Sequence, residues 1–489
     1  MIFLIIPWAI FICNRRKVVD IPGDSCYYSR KKDKEIFIMS EKNAARNITE
    51  GVIWKQLLSF FFPILLGTFF QQMYNTVDTI IVGRFVGTQA LAAVGSTGAL
   101  ISLLNGFFVG LSSGATVLVS QFFGADDFPK VRRSLHTGIG LALVLGLIIS
   151  TLGLCFGPQI LRLMKTPQDC LDDAVIYARI FFSGAIASMV YNMGAGILRA
   201  MGDSRRPMIF LIITCFVNIF LDIFCVVVLN MGVAGAALAT VLSQLISAVL
   251  VTLVLLRLPG EYALGLRHIR IDPVLLKGIL GIGVPAGLQF VTFDLANLLI
   301  QSGINSFGSA TMAAFASYAK ADMITWMLSG ALGVAITTFV GQNYGAQKYD
   351  RIYKSVRICL GMGVLIIGGS SAVVILLRRV ILGIFTADPE VIRLGAWLML
   401  WVVPFNASFV PVEVFAGAMR GAGCSTIPTV ITSLCVCLFR VLWLFLVVSR
   451  FHTLGVLMLC YPISWFLAGS AFFIAYRRGN WLKKQPIQA

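Results

Sequence analysis

Charge is scarce in this chain. Asp, Glu, Lys and Arg make up 12% of its 489 residues, while 58% are apolar; soluble domains carry roughly a quarter charged residues. That balance excludes a water-soluble globule. No GxxxxGK[ST] loop is present, so the sequence offers no phosphate cradle of that kind for ATP. The 11 cysteines show no CxxC or other metal spacing. Most of them (Cys155, Cys215, Cys225, Cys359, Cys435, Cys437, Cys460) stand in apolar runs, where Cys packs as a small hydrophobe rather than in a disulfide framework. His136, His268 and His452 stand singly at or near connections, and no Ser/His/Asp grouping accompanies them. An enzyme and a bound cofactor are therefore not expected.

Long apolar runs are abundant. Twelve are each long enough to cross a ~30 Å hydrocarbon core as helix. They lie at about 55–79, 92–118, 135–157, 174–197, 208–229, 232–256, 276–302, 312–340, 356–377, 391–416, 428–449 and 455–476. None alternates as the ~10-residue strands of a membrane barrel do. The net charge of +17 is concentrated in the N-terminal tail, the even-numbered connections and the C-terminus. That is the positive-inside signature, with both termini cytoplasmic in a multi-pass plasma-membrane protein. Nucleic-acid binding is not expected, because the basic residues form no folded face with aromatic platforms.

Two strings recur at one offset. Gln121, Gly124 and Ala125 return 221 residues on as Gln342, Gly345 and Ala346; Arg199, Gly202, Ser204 and Pro207 return as Arg420, Gly423, Ser425 and Pro428. The spacing predicts a duplicated unit, with an N-lobe over 51–260 and a C-lobe over 275–480. A cytoplasmic linker over 261–274 joins them and a tail follows at 481–489. Six crossings return the chain to its starting side, so the two six-helix repeats are parallel, arranged around a central cavity. Residues 1–50 stand outside the repeat, and the upstream part reads as a dispensable extension with a functional start near Met39.

Of the 22 acidic residues, five fall within these runs away from their ends: Asp78, Asp222, Asp294, Asp322 and Glu413. A charge at the bilayer centre costs ~2.5–3.5 kcal/mol, so such groups normally face a cavity or a partner. Thr68, Gln71, Asn75 and Asp78 share one face of helix 1, and Thr214, Asn218 and Asp222 share one face of helix 5. Their oxygens suit Na⁺, and the carboxyls suit H⁺ equally. In the second half Asp294, Asn297 and Gln301 form a polar stripe on helix 7. Glu413 stands where the first half has Asn192. Lys320 calls for a carboxylate partner on another helix, such as Asp294 or Glu413. Arg440 reads as a structural pair, and Arg199 and Arg420 as anchors at helix ends near lipid headgroups.

At Pro63 with QQMYNTVDTIIVGRFVG, ALAAVGS at 90–96, the QFFGA and LRAMGDS strings, NIFLD in helix 5 and the second-half copies, the sequence resembles the multidrug and toxic compound extrusion (MATE) family over 51–476. The resemblance implies a twelve-helix antiporter that expels small, amphipathic organic compounds in exchange for H⁺ or Na⁺. It implies a cation-coupling site at Asp78, Asn218 and Asp222, where Na⁺ would be the only metal, with Asn75 and Thr214 beside it. Gln71, Asp294, Asn297, Gln301, Glu413 and Lys320 are expected to line the substrate cavity, in a monomer whose other partner is membrane lipid. Some relatives carry a helix 7 glutamate eight residues after the proline equivalent to Pro285; Phe293 stands there, with Asp294 ~100° further round the helix. A lipid-linked oligosaccharide flippase of the same superfamily is the alternative reading.

Overall fold

The computed structural model describes residues 48–164 and 166–482. All but the last few residues of the expected N-terminal extension, and all but the start of the expected C-terminal tail, lie outside that range. The described chain forms α1 (Ile53–Val86), α2 (Thr88–Gly124), α3 (Phe128–Leu163), α4 (Gln168–Ser183 with Ala185–Ala200), α5 (Arg205–Val228) and α6 (Gly232–Leu256). The second half repeats the series as α7 (Pro273–Asn305), α8 (Ser309–Gly345), α9 (Tyr349–Leu376), α10 (Pro389–Gly421), α11 (Thr426–Phe451) and α12 (Leu454–Arg478). Eleven are single spans by length and apolarity. α4 becomes the twelfth with its two pieces, bent by 47° at Gly184.

Several helix starts are written in the sequence. Asp127, Asp272 and Asp388 each cap a helix and accept a backbone N–H from its first turn, with Pro at the opening positions. α1 runs on through Pro63 unbroken. Long apolar side chains such as Leu147, Leu365, Leu376 and Phe445 remain on the outside, as a lipid-facing surface requires.

The duplication extends to the backbone. Glycines with positive φ fall at Gly87 and Gly308 and at Gly202 and Gly423, while Asp126 and Gln347 both take φ 56°. Each pair is 221 residues apart, so the same left-handed turns join the same helices in both halves.

The halves touch along α2 and α7. Gly110 and Gly114 of α2 face Gly283 and Gly287 of α7, and a Cβ at Gly110 would collide with the Gly287 backbone. Small residues four apart on both helices let the backbones meet, which is how helices pack tightly in lipid. Both ends of the described chain lie on one face of the bundle, here called the terminal face.

Candidate functional site: a buried acid cluster and a closed face

α1 and α5 pack together in the N-lobe and bring Asp78, Asn218 and Asp222 into its interior. Asp78 is 6% exposed, and Asn218 and Asp222 are 0% exposed. Asp78 and Asp222 lie near enough to feel each other's charge, and Tyr177 of α4 lies within range of both. The Tyr74 hydroxyl, hydrogen-bonded to Gln71 and to Gln244 of α6, sits beside Asp78. Most of these polar atoms lack a protein partner. Asp78 Oδ1, both oxygens of Asp222 and both amide atoms of Asn218 are buried with none; the Thr240 hydroxyl, on α6 packed against α5, is likewise buried without a partner. Buried polar groups are nearly always satisfied, so a set of orphaned oxygens with two carboxylates suits a small cation or a proton. Immediately after Asp222 the helix widens into a π turn over Ile223–Val228, and α1 does the same at Val82–Val86, one turn beyond Asp78. Such widened turns recur at functional sites.

The neighbouring residues expected to join this cluster, Asn75 and Thr214, each donate a hydrogen bond within their own helix. Asn75 is exposed, and its amide donates to Gln72 Oε1 at 3.3 Å. The Thr214 hydroxyl donates to its own helix at Phe210 O, 2.8 Å away. Tyr74, Tyr177, Thr240 and Gln244 escaped the sequence reading. Gln244, an amide in an otherwise apolar run, was the one with a visible signal.

The C-lobe is built differently. Asp322 of α8 is 3% exposed and fully engaged: Trp326 Nε1 (2.9 Å), Tyr318 Oη (3.2 Å) and Asn406 Nδ2 (2.8 Å) all donate to its carboxylate. Arg440 of α11 is 0% exposed. It donates from Nε to Ser464 Oγ at 3.1 Å and from Nη1 to Asn297 Oδ1 at 3.2 Å. Its guanidinium lies 4.4 Å from the Tyr461 ring centre and 5.5 Å from that of Phe293. Tyr461 and Tyr318 feel both Asp322 and Arg440, so one buried charge of each sign shares this cluster. Asp294, Asn297 and Gln301 are thus dispersed to separate partners. Ser102 of α2 donates to Asp294 at 3.4 Å, Asn297 serves Arg440, and Gln301 donates to Asn305 at 2.9 Å.

Two expectations need correction. Lys320 is not a buried cation with a carboxylate partner: it is exposed, and its ammonium lies 5.9 Å from the ring centre of Phe385, in the short helix Arg378–Phe385 that follows α9. Its long stem lets the charge leave the interior. Glu413 is half-buried and committed to Arg420, Oε2 to Nη2 3.8 Å, against the face of α8 where a Cβ at Gly333 would strike its carboxylate. Arg420, 8% exposed, is therefore an interior pair rather than a headgroup anchor.

At the terminal face the repeated strings meet. Gln121 Nε2 of α2 donates to Gly421 O at the end of α10 (2.9 Å), and Gln342 Nε2 of α8 donates to Ala200 O at the end of α4 (2.6 Å). Both glutamines are buried. A Cβ at Gly124 would strike the Gln342 backbone, and one at Gly345 the Gln121 backbone. The C-lobe also holds the lead-in to α1: Asn343 and Arg351 donate to Ile48 O, and Lys348 to Thr49 O. The two halves are closed against each other here.

The linker is fastened as well. Tyr262 stacks on Phe128 and meets Phe123 edge-on. Asp272 pairs with Arg133 of α3 and accepts from Val274 and Leu275, which holds its carboxyl below the usual carboxylate range, the Arg133 bond contributing most.

The MatE family model matches twice, over residues 63–224 and 285–446. A probable multidrug resistance protein of Bacillus subtilis (strain 168), YoeA, is 29% identical over 445 residues, covering 88% of this chain and 95% of its own length. YpnP of the same organism, also a probable multidrug resistance protein, is 27% identical over 450 residues, 89% of this chain and 98% of its own. Among solved structures, a MOP superfamily transporter from Pyrococcus furiosus superposes with a TM-score of 0.83 at 22% identity, over 90% of this chain and 98% of that one. A multidrug resistance MATE family transporter in an outward-facing conformation gives 0.83 at 23% identity with the same coverage. Carrying the family unit once in each half, this twelve-helix membrane chain belongs to the MatE family.

Proposed function

We propose that the protein is a secondary active multidrug efflux transporter. It exports small amphipathic organic compounds across the plasma membrane in exchange for H⁺ or Na⁺ by alternating access. The observation that carries this reading is the set of orphaned buried oxygens at Asp78, Asn218 and Asp222, a place for one small cation in a helical interior. With the cation bound, the two carboxylates no longer repel, so loading favours one access state over the other. Gln71 of α1 and Asp294 of α7 are assigned to the substrate path.

The abundance of Lys and Arg on the terminal face supports a cytoplasmic position for that face, in a chain divided into an N-lobe at 51–260 and a C-lobe at 275–480. On that orientation the glutamine contacts close the cytoplasmic side, which supports reading this arrangement as the state that exchanges with the outside.

Proteoliposomes loaded with ethidium test the reading, with ΔpH and ΔNa⁺ imposed separately. Transport is expected under one or both gradients. Equal efflux after both gradients are collapsed would falsify antiport.

A further inference from the structure

Outside the transport path, one cavity concentrates positive charge. It has a volume of about 650 Å³ and is lined by Arg132, Arg133 and His136 of α3, by His268 and Arg270 of the linker, and by the start of α7. Its one carboxylate, Asp272, is already engaged by Arg133 and by two backbone N–H groups. His136 adds no charge. Its Nδ1 faces Arg132 O at 2.7 Å and its Nε2 accepts the Gly265 N–H at 3.0 Å, so the ring is neutral with its proton on Nδ1. Arg132 and Arg270 have no carboxylate partner among the described residues. Two guanidiniums thus face a cavity whose walls are fixed: the Gly265 bond and the Asp272 N–H to Thr137 Oγ1 bond tie the linker to α3.

We infer that this cavity binds a phosphate-bearing anion. Guanidinium forks match phosphate oxygens in pairs, and the volume suits a headgroup-sized ligand. The cavity lies at the first turns of α3 and α7, which the orientation proposed above puts at the depth of lipid phosphates. Ile271 lines it, and Leu266, also exposed, stands in the same linker segment, offering apolar contact to a chain attached to the phosphate. Basic pockets between helices at the cytoplasmic side bind anionic headgroups for these reasons. Assigning the cavity to the inner leaflet rests on the orientation proposed above; binding itself does not depend on transport. The occupant would join α3 of the first half to the start of α7 and hold the linker against the closed face.

The test uses the full chain, purified and delipidated in detergent, with Tm read at constant ionic strength. The probes are phosphatidylglycerol, phosphatidylcholine and inorganic phosphate. A net-anionic phosphate-bearing ligand, phosphatidylglycerol or inorganic phosphate, is expected to raise Tm by roughly 2 °C or more, and zwitterionic phosphatidylcholine is not. The rise should disappear in Arg132→Gln/Arg270→Gln and persist in Arg205→Gln/Lys354→Gln, which removes the same charge elsewhere on that face. A response to phosphatidylglycerol alone identifies a lipid headgroup; a response to inorganic phosphate identifies a soluble phosphate compound. Equal responses to phosphatidylglycerol and phosphatidylcholine overturn the assignment, as does an equal loss in both double variants or no response at all. Because ethidium efflux is not the readout, failure here leaves the antiporter reading standing, and failure of antiport leaves this one standing.

Discussion

Gln121 and Gln342 make one bond twice. Each reaches from its own lobe to the last carbonyl of a helix in the other, Gly421 O and Ala200 O, and the two donors and the two acceptors are both 221 residues apart. The contact is self-complementary in the manner of a two-fold interface. Each bond contributes about 1 kcal/mol net, so under the proposed alternating access removing both is expected to shift the equilibrium by about 2 kcal/mol, roughly 30-fold in population. Cys424, buried beside Gly423 at this seam, serves as reporter. In a background with Cys424 as the sole cysteine, Gln121→Ala/Gln342→Ala is expected to raise its maleimide labelling rate at least about tenfold. An unchanged rate would show that the glutamines do not hold the face closed.

Asp78→Asn and Asp222→Asn each keep the shape of the N-lobe cluster and remove a charge that a cation must meet. Ion-driven efflux is expected to fall by roughly tenfold or more in each, with normal expression and little change in Tm. Because the two acids are close enough to feel each other, the double variant should lose less than the two single losses combined. Full losses from each site that simply add would separate the acids into independent sites.

The α2–α7 seam tolerates no side chain. Gly110→Leu drives a branched side chain into the backbone of α7, which costs at least about 1–3 kcal/mol and is expected to lower Tm and abolish efflux. Gly95→Leu, on the same helix with open space around it, should leave both unchanged. Similar behaviour of the two would remove the seam from the account.

Asp322 and Arg440 share one buried cluster in the C-lobe, each within range of Tyr318 and Tyr461. Removing one charge of a buried set typically costs about 3–5 kcal/mol, so Asp322→Ala is expected to destabilise strongly. Asp322→Ala/Arg440→Met, which removes both charges and keeps the packing volume at Arg440, should recover much of that Tm. A double variant no better than Asp322→Ala would show that the two charges are uncoupled.

The Asp272–Arg133 attachment gives a pH signature. Asp272 is held below its ordinary range. Its contribution is therefore complete above the unfolded carboxylate value of about 3.9 and is lost only as pH falls through the lower folded value. Proteolysis of the linker should be insensitive to pH near neutrality and rise only in strong acid. Asp272→Asn should cleave faster at neutral pH and lose that acid step.

Much of this was legible in one dimension. Apolar runs longer than the bilayer is thick announced the helices, and the repeated Gln–Gly–Ala string marked the very residues that meet at the closed face. Asn218 and Asp222 were readable because i and i+4 share a helix face. What failed was the azimuth. Spacing places Asp294, Asn297 and Gln301 on a stripe, but only the neighbouring helices send one to Ser102 and another to Arg440. Lys320 was misjudged for the same reason, since an apolar run does not say which side faces lipid. Tyr177 reaches the acid cluster from a helix that sequence periodicity cannot place beside α1 and α5.

The glycine seam has a mechanical consequence. Gly110 lies about 21 Å along α2 from its end at Gly124 and about 33 Å from its start at Thr88, at ~1.5 Å per residue. Under the alternating access proposed above, backbones in contact at that height would act as a fulcrum with unequal lever arms. A gap prised open at the glutamine end would then be geared to a movement about 1.5 times as large at the far end.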